Sequence, residues 1–203
     1  MSRISTLRQL EAIYGKPGEA SLVKEVRQVI PHYRAFIEAS PFCTLATVAP
    51  EGMDCTPRGD RPGFVRVHDE HTLMMPDRHG NNRTDSLANI VRDSRIALCF
   101  MVPGSNNCLR VNGTAYISID EKLLDSFTVE GKAPRSVIIV KTEAVYFQCG
   151  RAILRSKLWK KDAQADAGTL PKPGEVLAWL SDNEIGGEEY DNTWEKRANK
   201  SLW

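Results

Sequence analysis

Between Pro41 and Phe147 the chain alternates β-branched and apolar runs with short turns, and only two helical segments interrupt them, one over 83–92 and a short one from Asp120. A βαβ fold would place a helix after nearly every strand, so that rhythm excludes it. Phe42–Val48 leads through Pro50-Glu51-Gly52 into Met53–Thr56, and Val65–Val67 leads through Asp69-Glu70 into Thr72–Met74, which are hairpin patterns. Ser94–Val102 and the long run Cys108–Ile119 follow, the latter with Asn112-Gly113 as the place for a bend, and Ser136–Phe147 is the last strand. The expectation is a mainly β (α+β) domain of six or so mostly antiparallel strands forming a small barrel.

Helical periodicity flanks this core. Leu7, Leu10 and Tyr14 mark one amphipathic segment, Leu22, Val26, Val29 and Ile30 a second that Pro31 stops, and 32–39 a third. Residues 1–40 are therefore read as a helical extension, 41–160 as the barrel domain, and 161–203 as a C-terminal helical extension that packs on the barrel or on a partner subunit. Its aromatics, Tyr190, Trp194 and Trp203, suit docking. A barrel with open strand edges and such a tail is expected to form a two-fold homodimer.

One stretch carries the chemistry. From Pro76 to Val91 the sequence passes from strand through a Gly/Asn turn into a helix with Leu87, Ile90 and Val91 on one face. Asn82 is the expected helix cap, with Asp85 three residues on, which puts Arg83 in the first turn beside free backbone N–H groups. An arginine there opposes the helix dipole but suits a bound phosphate; the alternative is a surface arginine on a capped helix. The compact loop Pro57-Arg58-Gly59-Asp60-Arg61-Pro62-Gly63 reads either as a bulge held by an Arg–Asp pair or as a ligand loop. Over 149–159 a further helix would bring Arg155 and Trp159 together at i, i+4, as a stacked pair or as an arginine stem covering an indole.

Composition narrows the function classes. With 27 basic and 26 acidic residues the net charge is +1, and no field draws the chain to nucleic acid or a membrane surface. There is no run of 18 apolar residues and no signal-peptide pattern, so a cytoplasmic location is expected. The five cysteines include no Cys-x-x-Cys pair; Cys43 and Cys99 read as reduced core residues, and no metal site is expected. His68 and His71 bracket the Asp69-Glu70 turn and read as solvated. No Walker loop, Gly-x-Gly-x-x-Gly fingerprint or Gly-x-Ser-x-Gly elbow occurs, and no acid–base pair marks catalytic residues.

Five ordered blocks resemble the FMN-binding split-barrel family related to pyridoxamine 5′-phosphate oxidase, in its subgroup of uncharacterised bacterial flavoproteins. They are Phe42–Val48, Thr56–Val65, Pro76–Ile90, Leu109–Gly113 and Arg155-Ser156-x-Leu158-Trp159. The resemblance implies a split β-barrel, an FMN cofactor, oxidoreductase activity on a small molecule, and a homodimer with flavins between subunits. It places Arg58, Asn82 and Arg83 at the phosphate and Met74–Asp77, with Met75 and Pro76, beside the ring. Asp60, Asn81, Arg155, Ser156 and Trp159 complete the expected cofactor set, with Phe64 in the ring slot. Asn82 stands where the family has serine, and one of two basic residues is missing, which shifts phosphate contacts toward Arg58 or Arg61. Arg78, outside the matched phosphate segment, is expected to be solvated. A carrier or sensor barrel holding FMN, heme or a deazaflavin is the alternative function.

Overall fold

The computed structural model describes residues 3–200 and 202; Trp203, one of the expected docking aromatics, lies outside the described residues. Seven strands form one antiparallel sheet: β1 (Phe42–Ala49), β2 (Gly52–Gly59), β3 (Arg66–Asp69), β4 (Thr72–Asp77), β5 (Arg95–Met101), β6 (Cys108–Ser118) and β7 (Ser136–Gln148), in the order β2-β1-β5-β6-β7-β4-β3. The expected count of about six is corrected to seven, since every strand-like run of the sequence forms its own strand, including both arms of the hairpin around Asp69-Glu70. Period-two burial is clearest in β1, where Cys43, Leu45, Thr47 and Ala49 point inward and Thr44 and Ala46 outward. Pro57 is accommodated because β2 is an edge strand.

The bend of β6 falls where the sequence places it. Its register with β7 shifts between Asn112 and Gly113, and a Cβ on Gly113 would lie 2.0 Å from the Lys141 carbonyl oxygen. Only glycine lets the two backbones approach so closely. The interior is filled by Leu45, Leu73, Met75, Leu98, Phe100, Leu109 and Val111, all with almost no exposed surface. Tyr33 and Ile37 of α3 (Pro31–Ala39) and Ile90 of α4 (Asp85–Arg92) complete that core.

Four expectations change here. The second N-terminal helix is only α2 (Glu19–Val23), after α1 (Leu7–Tyr14). Val26 instead bridges Val145 of β7, and the Val29 N–H donates to the Glu70 carbonyl at 2.7 Å. Ile30 is extended because a proline follows, and Pro31 starts a helix rather than merely ending one. Cys43 is a core thiol, pushed up to about 12 chiefly by burial. Cys99 is only half-buried, on the outer face of β5 beside Cys108, and is pushed up to about 11, first by burial and then by that neighbour. The helix expected over 149–159 is the shorter α6 (Arg151–Ser156), after α5 (Glu121–Ser126). Lys157 ends α6 in the left-handed region, so Arg155 and Trp159 do not share a helix face.

The C-terminal extension forms α7 (Pro173–Leu180) and α8 (Gly187–Lys200), which pack on each other. Trp179 at the end of α7 is 81% exposed. Among the described residues no helix is long and apolar enough to cross a membrane.

The sheet does not close. Among the described residues no ladder joins β2 to the β4-β3 end, and the gap is crossed by side chains instead. Arg58 of β2 donates from Nη1 to Asp77 Oδ1 of β4 at 2.7 Å. Just beyond the same two strands the order is reversed: Arg78 Nε donates to Asp60 Oδ2 at 3.0 Å. Two reciprocal ion pairs therefore hold the open seam where backbone hydrogen bonds would close a complete barrel.

Candidate functional site

A cleft of about 500 Å³ opens at this seam, within the size range of small-molecule sites. One wall is the end of β2 with Asp54, Pro57, Arg58 and Asp60; the other is Pro76, Asp77 and the loop that leads to α4. Arg135 and Ser136 at the start of β7 close a third side.

The loop is built by asparagine geometry. Asn81 Oδ1 accepts from the Arg83 backbone N–H at 3.0 Å, and Asn82 sits at φ 62° in the left-handed region that asparagine tolerates. This turn consumes the residues expected to cap the helix. Thr84 is the cap position, without a side-chain cap bond, and α4 begins at Asp85. Arg83 thus precedes the helix rather than occupying its first turn. Its Nε donates to Asp85 Oδ2 at 2.5 Å, and that contact raises the arginine's pKa above its ordinary value. Ser86, buried in the first turn, donates to the Asp54 carboxylate and ties α4 to β2.

The arginines of the cleft fall into distinct environments. Arg78, expected to be solvated, is only 14% exposed at its side chain and its partner Asp60 3%. It also donates to the Phe127 carbonyl at 2.8 Å. The closing of the seam buries it, which no local pattern reveals. Asp60 has both oxygens engaged, since Oδ1 accepts from the Arg61 N–H at 2.6 Å. Arg58 is partly buried, and its Nε is enclosed without a hydrogen-bond partner among the described residues. An unpaired buried donor costs about 1–3 kcal/mol, so this guanidinium is under-satisfied by the protein alone.

Of the residues singled out from the sequence, Arg58, Asp60, Pro76, Asn81, Asn82 and Arg83 meet at this cleft, with Phe64 beside them. Met75 does not, because it lies on the inward face of β4 with no exposed surface, and Met74 packs on the small cluster of Phe127, Val137 and Ile139. Arg155, Ser156 and Trp159 also lie outside its lining. Trp159 Nε1 donates to the Ser105 carbonyl at 2.7 Å, and Ser156 Oγ to the Ile153 carbonyl at 3.2 Å. Sequence reasoning placed Asp77 beside the ring, as the end of Met74–Asp77, without its pairing to Arg58, and missed Asp54, Ser86 and Arg135. The reversed order Arg58-x-Asp60 and Asp77-Arg78 is the signal that could have exposed that pairing; for Arg135 there was none.

The fold and cleft define an open, incompletely closed β-barrel with a seam of arginines and aspartates. The chain belongs to the pyridoxamine 5′-phosphate oxidase family, whose profile matches residues 29–149. Among solved structures it is similar to a point variant of HupZ from Group A Streptococcus, at 18% identity and a TM-score of 0.49 over 59% of this chain and 99% of that one. It is also similar to a candidate pyridoxamine 5′-phosphate oxidase from Lactobacillus delbrueckii, at 21% identity and a TM-score of 0.47 over 60% and 95%. The FAD binding protein from Mycobacterium smegmatis matches at 11% identity and a TM-score of 0.41 over 61% and 97%. No curated protein matches the chain.

Proposed function

We propose that this protein binds FMN at the seam cleft and acts as a cytoplasmic, homodimeric oxidoreductase on a small molecule. The observation that carries the reading is Arg58, a seam arginine with a buried Nε that the protein leaves unpartnered. A phosphate monoester brings about −1.5 to −2 charge and strong acceptor oxygens, and arginine forks match that geometry. Arg58 and Arg83 hold the phosphate, while Asn81 and Asn82 shape the loop that receives it. Pro57, Pro76, Phe64 and Leu87 offer the ring an apolar margin in one protomer. A partner subunit supplies the rest of the slot, and the exposed Trp179 and Trp194 of the C-terminal helices suit contact with it. Bound FMN would supply the electron transfer itself, so the chain needs to bind, orient and shield the ring rather than provide an acid–base pair.

The test is purification followed by titration. Protein that emerges yellow, is bleached by dithionite and is reoxidised by air supports the reading. Colourless protein that quenches neither FMN nor riboflavin fluorescence overturns it. Light scattering that finds a monomer with flavin bound would remove the dimer from it.

A further inference from the structure

Four arginines line the cleft, and three are matched to carboxylates: Arg58 to Asp77, Arg78 to Asp60 and Arg83 to Asp85. Arg135 is not. Among the described residues its guanidinium donates only to the neutral amide oxygen of Asn82, at 2.5 Å from Nη1. Its backbone N–H donates to the Asp77 carbonyl at 3.1 Å, which fixes its base beside the Arg58–Asp77 pair. The side chain then spans from β7 to the loop ahead of α4 and forms one lip of the cleft.

We infer that Arg135 is an additional anion-binding residue of this cleft, one that turns from Asn82 onto the phosphate monoester of the ligand and so discriminates FMN from the dephosphorylated riboflavin. The inference rests on the flavin reading above. Its physical basis is a comparison of what each arginine gives up. Arg78 and Arg83 are each held in an ion pair that a new anion would weaken, and Arg58 has its Nε free but its Nη1 engaged with Asp77. Arg135 exchanges one bond to an uncharged acceptor for bonds to a charged one, which are roughly twice as strong. It is also exposed, so its reorientation disturbs no packing. Its position at the lip lets it meet the ligand alongside the partly buried Arg58.

The experiment measures FMN and riboflavin affinity by flavin fluorescence quenching, for wild type, Arg135→Ala and Arg135→Lys at fixed salt, with a melting curve for each. Arg135→Ala is expected to weaken FMN about tenfold or more, to leave riboflavin within about twofold, and to melt as wild type does. Arg135→Lys restores part of the FMN affinity, since it returns the charge without the planar fork. Unchanged FMN affinity in Arg135→Ala, or an equal loss for both flavins, overturns the inference while leaving the flavin reading intact. Wild-type protein that binds neither flavin overturns both.

Discussion

The Arg78–Asp60 and Arg83–Asp85 pairs use the same two residue types at one cleft, yet their surroundings differ in kind. In the first, the side chains are 14% and 3% exposed and a backbone carbonyl takes a further guanidinium N–H. In the second they are 78% and 52% exposed, and the partners are two residues apart in the chain. A buried charge that loses its partner has no water to turn to, whereas an exposed one is rehydrated at once. The first pair is therefore part of the fold, and the second is a resting contact of a side chain that is available to a ligand.

The largest effect is expected from breaking the buried member. Arg78→Ala strands the Asp60 carboxylate at the seam and should destabilise the protein by about 3–5 kcal/mol, lowering its melting temperature by roughly 6–20 °C. Chemical denaturation and calorimetry measure it. Arg83→Ala, measured alongside, should melt within error of wild type. Equal loss in the two variants would show that exposure does not separate the pairs as argued.

Ligand affinity should reverse this ranking among variants that fold. Arg58→Ala is expected to weaken FMN by about ten- to a hundredfold and also to lower stability, because Asp77 loses its partner across the seam. Arg83→Ala should weaken FMN by about tenfold, with riboflavin nearly unaffected and no loss of stability. The double variant should keep only the preference for FMN over riboflavin that Arg135 supplies, about tenfold. Titration of both flavins across these variants checks the split. If Arg83→Ala leaves FMN binding unchanged, the phosphate rests on Arg58 and Arg135 without it.

The same contrast marks what the sequence could disclose. Strand rhythm was legible because inward and outward residues alternate, and the bend at Asn112-Gly113 because only glycine permits the approach to Lys141. The half-exposed position of Cys99 was not legible, because β5 from Ile96 to Met101 is apolar on both faces and offers no alternation to read. The start of α4 was misplaced because asparagine serves equally as a helix cap and as a side-chain turn, and Asn81 and Asn82 form the turn. The stretch Pro76–Ser86 was recognisable as a candidate site because its Gly/Asn loop joins a strand to a helix. Which of its arginines would be buried depended on Asp60, 18 positions earlier, arriving across an open seam. That is a property of closure, and local spacing does not encode it.

The smallest expected effect tests whether the exposed pair restrains Arg83. Asp85 holds the guanidinium at 2.5 Å, and on the proposed reading the FMN phosphate would compete with that carboxylate for the same donor. Asp85→Asn keeps the size of the side chain and one acceptor oxygen but removes its charge, so the hold on Arg83 is loosened without a change in the loop's packing. An exposed ion pair is a weak competitor, and the gain in FMN affinity should be about two- to fivefold. It should shrink as salt is added, since screening already weakens the pair in the wild type. Riboflavin, having no phosphate for Arg83 to meet, should show no gain. Parallel FMN and riboflavin titrations at low and high ionic strength separate this from a general change in the cleft. A loss of FMN affinity in Asp85→Asn would mean that the carboxylate positions Arg83 for the phosphate instead of withholding it, and the exposed pair would then belong to the binding machinery rather than to its resting state.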